Sequence, residues 1–207
     1  MRVLDPSITF EYKINGIEIL RNIEKAGRTA YKTENAITND SYIDFINLLM
    51  KLGHESVFEH QIVSIKIICD RGVSHEIVRH RIASYTQEST RYCNYSKEKF
   101  GNEISVIKPM FFSKETNNYK IWYQCMQIIE KSYLEMIKNG AKPEEARTIL
   151  PNSLKTEIVV TMNIREWRYF LKLRTAKNAH PQMQQIAKMI LKEFKENVPI
   201  IFDDIEV

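Results

Sequence analysis

Two runs of β-branched residues constrain this chain most: HQIVSIKIICD at residues 60 to 70 and KTEIVVTMNI at 155 to 164. Both predict strands, because branched side chains fit a pleated, half-buried surface. Helical spacing surrounds them. Ile17, Leu20, Ile23 and Ala26 repeat with a helix period over Gly16–Ala26. A second helix is expected at Asp40–Leu52, with Tyr42, Phe45, Leu48 and Leu49 on one face and Gly53 as its stop. Residues 71 to 82 return to helical spacing through Val73, Ile77 and Val78, and residues 117 to 138 form a long amphipathic helix. KPEEARTILP reads as a short helix opened by Pro143 and closed by Pro151. Two more helices are expected at roughly 165–175 and 181–196, ahead of a short acidic tail, while Met1–Lys13 alternates loosely as a strand. There are no repeats, low-complexity tracts or Gly/Ser linkers, so the expectation is one mixed α/β domain over residues 1–207.

Glycine usage narrows the class further. Six scattered glycines include no Gly-x-Gly-x-x-Gly and no Gly-Lys-Ser loop, which excludes a Rossmann or P-loop site. Any dinucleotide must therefore be held by arginines and polar side chains. No Gly-x-Ser-x-Gly elbow supports a hydrolase. The hydrophobic share of 43% and charged share of 27% belong to an ordinary folded protein, not a disordered one. A net charge of +4 suits anionic ligands but is too mild to diagnose a nucleic-acid binder. No apolar run reaches the roughly 18 residues of a membrane span, and MRVLDPSITF carries no signal-peptide core, so a cytoplasmic protein is expected. Cys69, Cys93 and Cys125 lack paired spacing, which indicates reduced thiols rather than a disulfide framework or a zinc knuckle.

The stretch RHRIASYTQESTRY, residues 79 to 92, is the unusual one. Adjacent cations repel, so Arg79-His80-Arg81 needs an anion or acidic neighbours to offset it. On a helix successive side chains fan out by about 100°, placing the two arginines about 200° apart. On a strand the arginines share one face and His80 takes the other. Either way three consecutive residues grip one phosphate poorly and suit a junction between two ligands, or between a ligand and another subunit. The plain alternative is a surface helix in which Glu76 pairs with Arg79 and His80 at i+3 and i+4. If Ser84–Tyr92 is extended, Gln87, Ser89 and Arg91 lie on one side at intervals of about 6.6 Å. An amide, a hydroxyl and a guanidinium in a row match a nucleotide's ring edge, sugar and phosphate. A polar loop facing water is the alternative there, set against the aromatic bulk of Tyr85, Tyr92 and Tyr95.

GHESVFEH, residues 53 to 60, lacks the His-Glu-x-x-His spacing in either direction, so no metal site is expected; His54 can still touch a ligand. Arg147 and Arg174, taken singly, read as ion-paired or solvated arginines, and cations at a helix C-terminus complement its dipole.

RHR, seven residues, then Ser89 and Arg91-Tyr92 resembles the signature of the flavin-dependent thymidylate synthases. GHESVFEH, EEARTILP, VTMNIREWRYFLKLR and AHPQMQQIA resemble other segments of that family in the expected order, over most of residues 50 to 190. The resemblance implies an α/β fold of the α+β type, a mostly antiparallel sheet flanked by helices. It implies a homotetramer with active sites at subunit interfaces, bound FAD, and reductive methylation of dUMP to dTMP. Methylenetetrahydrofolate would give the carbon and NADPH the hydride. Partners would be these small molecules, with no nucleic acid and no membrane. Carried over by residue, Arg79, His80 and Arg81 would contact FAD, with Ser56, Gln87, Asn163 and Arg165 extending that site and His54 near flavin and folate. Glu76, Arg79, Gln87, Glu88, Ser89, Thr90, Arg91, Arg147 and Arg174 would line the dUMP site, Arg174 as the catalytic group.

Two departures stand out. Thr86-Gln87 occupies the place of the usual Asn-Glu, and Ala179-His180-Pro181-Gln182 that of Ala-Gln-x-Glu, so His180 takes no firm role. Uracil C5 becomes a nucleophile either by covalent addition at C6, which needs an activated Cys or Ser, or by loss of the N3 proton. The resemblance favours the second route, with Arg174 stabilising the anionic ring and Ser89 positioning the nucleotide. A single-stranded nucleic-acid binding module is the competing class, with steep salt dependence and no flavin spectrum.

Overall fold

The computed structural model describes residues 1–206. The predicted N-terminal strand is two: β1, Arg2–Leu4, and β2, Ser7–Phe10. The break falls at Asp5-Pro6, where proline offers no N–H to a ladder and restricts the residue before it. Helix α1, Gly16–Tyr31, outruns its expected end; Asn15 caps it by accepting from Glu18 N at 3.2 Å, and Glu24 meets Arg28 at 2.7 Å one turn on. Helix α2, Ser41–Leu52, ends at left-handed Gly53 as expected. Its buried face is Tyr42, Ile46 and Leu49, whereas Leu48 is 50% exposed, so the predicted face is rotated. Phe45 lies against Gly27 of α1, where a Cβ would approach its ring to 2.7 Å.

A 3-10 turn at Glu55–His60 leads into β3, Ile62–Asp70, and then α3, Arg71–Ile77. That helix stops before the arginine pair, so Arg79-His80-Arg81 is neither helix nor strand: a turn ends at Arg79, and His80 and Arg81 follow in irregular backbone. Strand β4, Ser84–Gln87, is also shorter than the extended run expected to Tyr92. From Ser89 the chain turns: its carbonyl accepts from Tyr92 N and Cys93 N, which breaks the proposed row of Gln87, Ser89 and Arg91. Strand β5 is Ser105–Ile107, helix α4 spans Asn117–Lys138 as predicted, and α5, Pro143–Ala146, runs into a 3-10 turn at Arg147–Ile149. Strand β6, Lys155–Asn163, precedes α6, Ile164–Arg174, and α7, Pro181–Asn197.

Four strands form a sheet in the order β2-β3-β6-β4. In β3 and β6, hydrogen bonds join Ile164 to Gln61, Ser64 to Thr161 and Arg71 to Leu154, so one number rises as the other falls and the pair is antiparallel. Both strands alternate buried and part-exposed residues, which puts Val63, Ile65, Ile158, Val160 and Met162 in the core. Strands β1 and β5 form a separate pair and run parallel, from Arg2 opposite Ser105 to Leu4 opposite Ile107.

The chain's internal packing gathers into two units, each built from separated segments, and β3 and β6 contribute residues to both. The first unit takes Met1–Ser7, Ile67–Arg79 and Thr86–Ile158. Its core joins Tyr95, Ile104, Val106, Met126, Tyr133, Ala146 and Leu154. The second takes Ile8–Lys66, His80–Tyr85 and the chain from Val159 onward. Trp167 anchors its core, with its indole N–H donating to the Val63 carbonyl at 3.0 Å. The acidic tail is docked rather than free: Phe202 stacks on Phe194 at 4.3 Å, and Asp204 pairs with buried Arg168 at 2.7 Å.

Candidate functional site

In the second unit His80 and Arg81 differ in burial: Arg81 is exposed, while His80 is only 4% exposed. The His80 ring lies 4.8 Å from the Phe170 ring and 5.8 Å from Tyr169, and the Tyr85 hydroxyl donates to its carbonyl. Burial, aided by Glu166, pushes the Tyr85 phenol up to about 12, so it stays a donor. Both ring nitrogens of His80 are engaged. Arg174 Nε donates to Nε2 at 3.1 Å, and Nδ1 faces Glu166 Oε1 at 3.3 Å. A guanidinium only donates, so Nε2 is an acceptor and the imidazole is neutral. Its pKa agrees, lowered to about 4 by burial and then by the Arg174 charge. Burial also raises the Glu166 carboxyl. The expected alternative of Glu76 paired with His80 is replaced by Glu166, which sequence spacing alone does not connect to His80.

Arg174 ends α6 as predicted, and the start of the same helix borders a cavity of about 520 Å3. Asn163 and Arg165, both expected at a flavin, line it together with Glu55, Glu59, Ile82, Glu166, Arg168, Tyr169 and Lys172. Arg165, Tyr169 and Lys172 recur at i, i+4 and i+7, a helical signal within IREWRYFLKLR that points to a shared face. Asn163 Oδ1 caps α6 by accepting from Glu166 N at 2.8 Å. Arg165 pairs with Glu59 at 2.5 Å, and Arg168 with Glu55 at 3.3 Å. His54 and Ser56 are exposed at the neighbouring 3-10 turn.

The first unit holds most of the residues expected to line a nucleotide. Ser74 spends its hydroxyl proton on the Arg71 carbonyl at 2.9 Å, so it accepts from Gln87 Nε2 at 2.9 Å; the same amide nitrogen donates to Thr156 at 3.1 Å. That fixes the Gln87 amide and leaves its carbonyl oxygen to meet a donor. The Glu88 carboxylate is held by Tyr95 Oη and Lys155 Nζ, each at 2.9 Å. Ser89 Oγ accepts from Arg91 N at 3.3 Å and meets no base among the described residues. Thr90 is buried, whereas Arg91 is exposed and pairs with Glu144 at 3.0 Å. Glu76 is part-buried on α3. Arg79 and Arg147 are exposed, with no side-chain ion pair among the described residues.

Neither cysteine near these elements is activated. Burial, then Glu88, pushes the Cys93 thiol up, and burial takes Cys69 to about 12. The described residues contain no cluster of His, Cys, Asp and Glu able to hold a metal ion, and no helix among them is long and apolar enough to cross a membrane.

The family model described as thymidylate synthase complementing protein matches residues 17–200. A flavin-dependent thymidylate synthase of Pyrococcus abyssi is 37% identical over 80% of this chain and 68% of its own length. One of Thermococcus onnurineus is 39% identical over 72% of this chain, which spans 60% of that relative's length. The fold resembles that of the UMP/dUMP methylase PolB from Streptomyces cacaoi, solved with 5-Br dUMP, at a TM-score of 0.79 and 18% identity over 98% of this chain and 96% of PolB. With the family match covering most of its length and these identities, the chain belongs to the flavin-dependent thymidylate synthase family.

Proposed function

We propose that this chain is a methyltransferase that converts dUMP to dTMP by reductive methylation, with FAD as its cofactor. Methylenetetrahydrofolate donates the carbon and NADPH the reducing equivalents. It works in the cytoplasm as one catalytic domain per chain, in a homotetramer with active sites at subunit interfaces. The activity of the relatives, flavin-dependent thymidylate synthases by name, and the 5-Br dUMP bound to PolB support the flavin and the substrate.

The donor set fits FAD. Without a Gly-rich loop, the pyrophosphate needs cationic side chains, and Arg79 and Arg81 present exposed guanidiniums without acid partners among the described residues. Asn163, Arg165 and Ser56 extend that set in the second unit. When bound, FAD would supply the redox chemistry, drawing reducing equivalents from NADPH, while these residues bind and orient it. Arg79, Gln87, Ser89, Arg91 and Arg147 hold dUMP, with Glu76, Glu88 and Thr90 supporting them, and His54 serves the folate end.

Covalent addition at C6 finds no activated nucleophile near the RHR segment among the described residues. Cys93 and Cys69 are held as thiols, and Ser89 Oγ is tied to a backbone amide rather than to a base. The chain's chemistry is then to stabilise a pyrimidine that has released its N3 proton to solvent, so that charge reaches C5. Arg174 does this through a charge-assisted hydrogen bond. The observation that carries the reading is its 3.1 Å anchor on neutral His80, which holds the guanidinium plane in place.

Arg174→Lys and Ser89→Ala test it in single-turnover dTMP formation. A lysine lacks the planar fork, so R174K should lose about 100- to 1000-fold in the chemical step. S89A should mainly weaken dUMP binding. Near-normal turnover in R174K, with the chemical step abolished in dUMP-loaded S89A, reverses the assignment. A purified protein with no flavin spectrum rejects the function itself.

A further inference from the structure

We propose that Glu166 is a positioning residue: by accepting the Nδ1 proton of His80 it fixes the tautomer whose Nε2 holds Arg174. This rests on the reading that Arg174 serves the pyrimidine. The logic is a proton count. Arg174 Nε always carries a proton, so it can meet His80 Nε2 only when that nitrogen is bare. The imidazole proton must then sit on Nδ1, and the atom facing Nδ1 is Glu166 Oε1 at 3.3 Å.

The assembly is built to keep this arrangement. Glu166 is buried, and its backbone N–H is tied to Asn163 Oδ1 at 2.8 Å. Phe170 and Tyr169 flank the His80 ring, and Tyr85 holds the His80 carbonyl. The ring has little freedom to escape by rotation. Without an acceptor at Nδ1 the proton moves to Nε2, the tautomer an imidazole prefers in water. Two N–H groups then confront each other, and the guanidinium must swing away. Partners of this kind orient metal-bound histidines in the same way. Here the oriented group is an arginine, whose placement decides where positive charge meets the substrate.

The test compares wild-type holoenzyme with Glu166→Met, which keeps side-chain length but removes the acceptor, and Glu166→Gln, which restores an acceptor. Imidazole 15N shifts, assigned to His80 with a His80→Gln control, read the tautomer directly. Wild type should carry the proton on Nδ1, and E166M should shift it to Nε2. For dTMP formation, kcat in E166M should fall about 10- to 100-fold with the dUMP KM within about threefold, because the loss falls on charge developed in the reaction. E166Q should recover most of kcat together with the Nδ1–H form. Wild-type His80 protonated on Nε2 overturns the proposal, whatever the variants do. So does E166M with unchanged tautomer and kcat, or E166Q as impaired as E166M despite an Nδ1–H ring. If wild type makes no dTMP, the function fails, but the tautomer comparison still decides whether Glu166 sets His80.

Discussion

Lowering the pH from about 7.5 to 5.5 protonates an ordinary histidine, with its pKa of about 6.5, but not His80 in the folded chain. There the pKa is lowered to about 4, because burial and Arg174 disfavour a second positive charge. Glu166 does not reverse this, since burial also raises its own carboxyl toward the neutral form. The unfolded chain therefore binds more protons than the folded one across this window, and stability falls as pH falls. Two-state proton linkage with these values gives a loss of about 1.3 kcal/mol by pH 5.5 and a ceiling of about 3 kcal/mol near the folded pKa. Glu166, whose raised pKa acts in the opposite direction as pH falls, is retained in both of the proteins to be compared. The assay is urea unfolding at both pH values for wild type and His80→Gln, whose amide can contact Arg174 and Glu166 without titrating. The difference between the two proteins cancels all other groups. With a urea slope of about 2 kcal/mol/M, the wild-type midpoint should drop by about 0.6 M more than that of H80Q. Parallel pH profiles would refute a buried neutral His80, and with it the anchor on Arg174.

Three further outcomes follow from other contacts. A Cβ on Gly16 would lie 1.9 Å from the Asn197 carbonyl oxygen and 2.9 Å from Val198 Cα, backbone atoms that cannot rotate away. Gly16→Ala should cost about 2 kcal/mol or more in urea unfolding despite alanine's better helix propensity, and a neutral or stabilised variant contradicts that packing. Arg168→Met strands Asp204 and Glu55, but both carboxylates are part-exposed, so the loss should be about 2 kcal/mol rather than the full penalty of a buried pair. Asp204→Asn added to R168M should recover part of it; strict additivity would show that the pair does not couple. Arg81→Ala should purify with less flavin while its unfolding midpoint stays near wild type, and a fully yellow protein with unchanged FAD affinity would remove Arg81 from the flavin site.

Local pattern carried much of the architecture. The two β-branched runs became β3 and β6, and 117–138 became α4 to the residue, because alternation and a 3.6-residue period register burial directly. Glycine marked the end of α2 at Gly53, whereas the loose alternation over Met1–Lys13 hid the break at Asp5-Pro6, where proline acts through its own backbone limits. Arg174 was legible at a helix end, and Asn163 and Arg165 at the start of the same helix. What short-range spacing cannot carry is a pairing across the chain. Glu166 is 86 residues from His80, and Arg174 is 94. Periodicity could place RHR on a helix or a strand, but the irregular path it takes serves the buried His80 ring.

By itself, then, the sequence determined the two long strands, most helices, the lack of a Gly-rich phosphate loop and the family, because these depend on residue type and near-neighbour spacing. Tertiary structure alone decided which arginines remain exposed, that His80 is neutral, and that Arg174 hangs from it. Those properties depend on desolvation and on donors meeting acceptors, and both exist only once distant segments have packed.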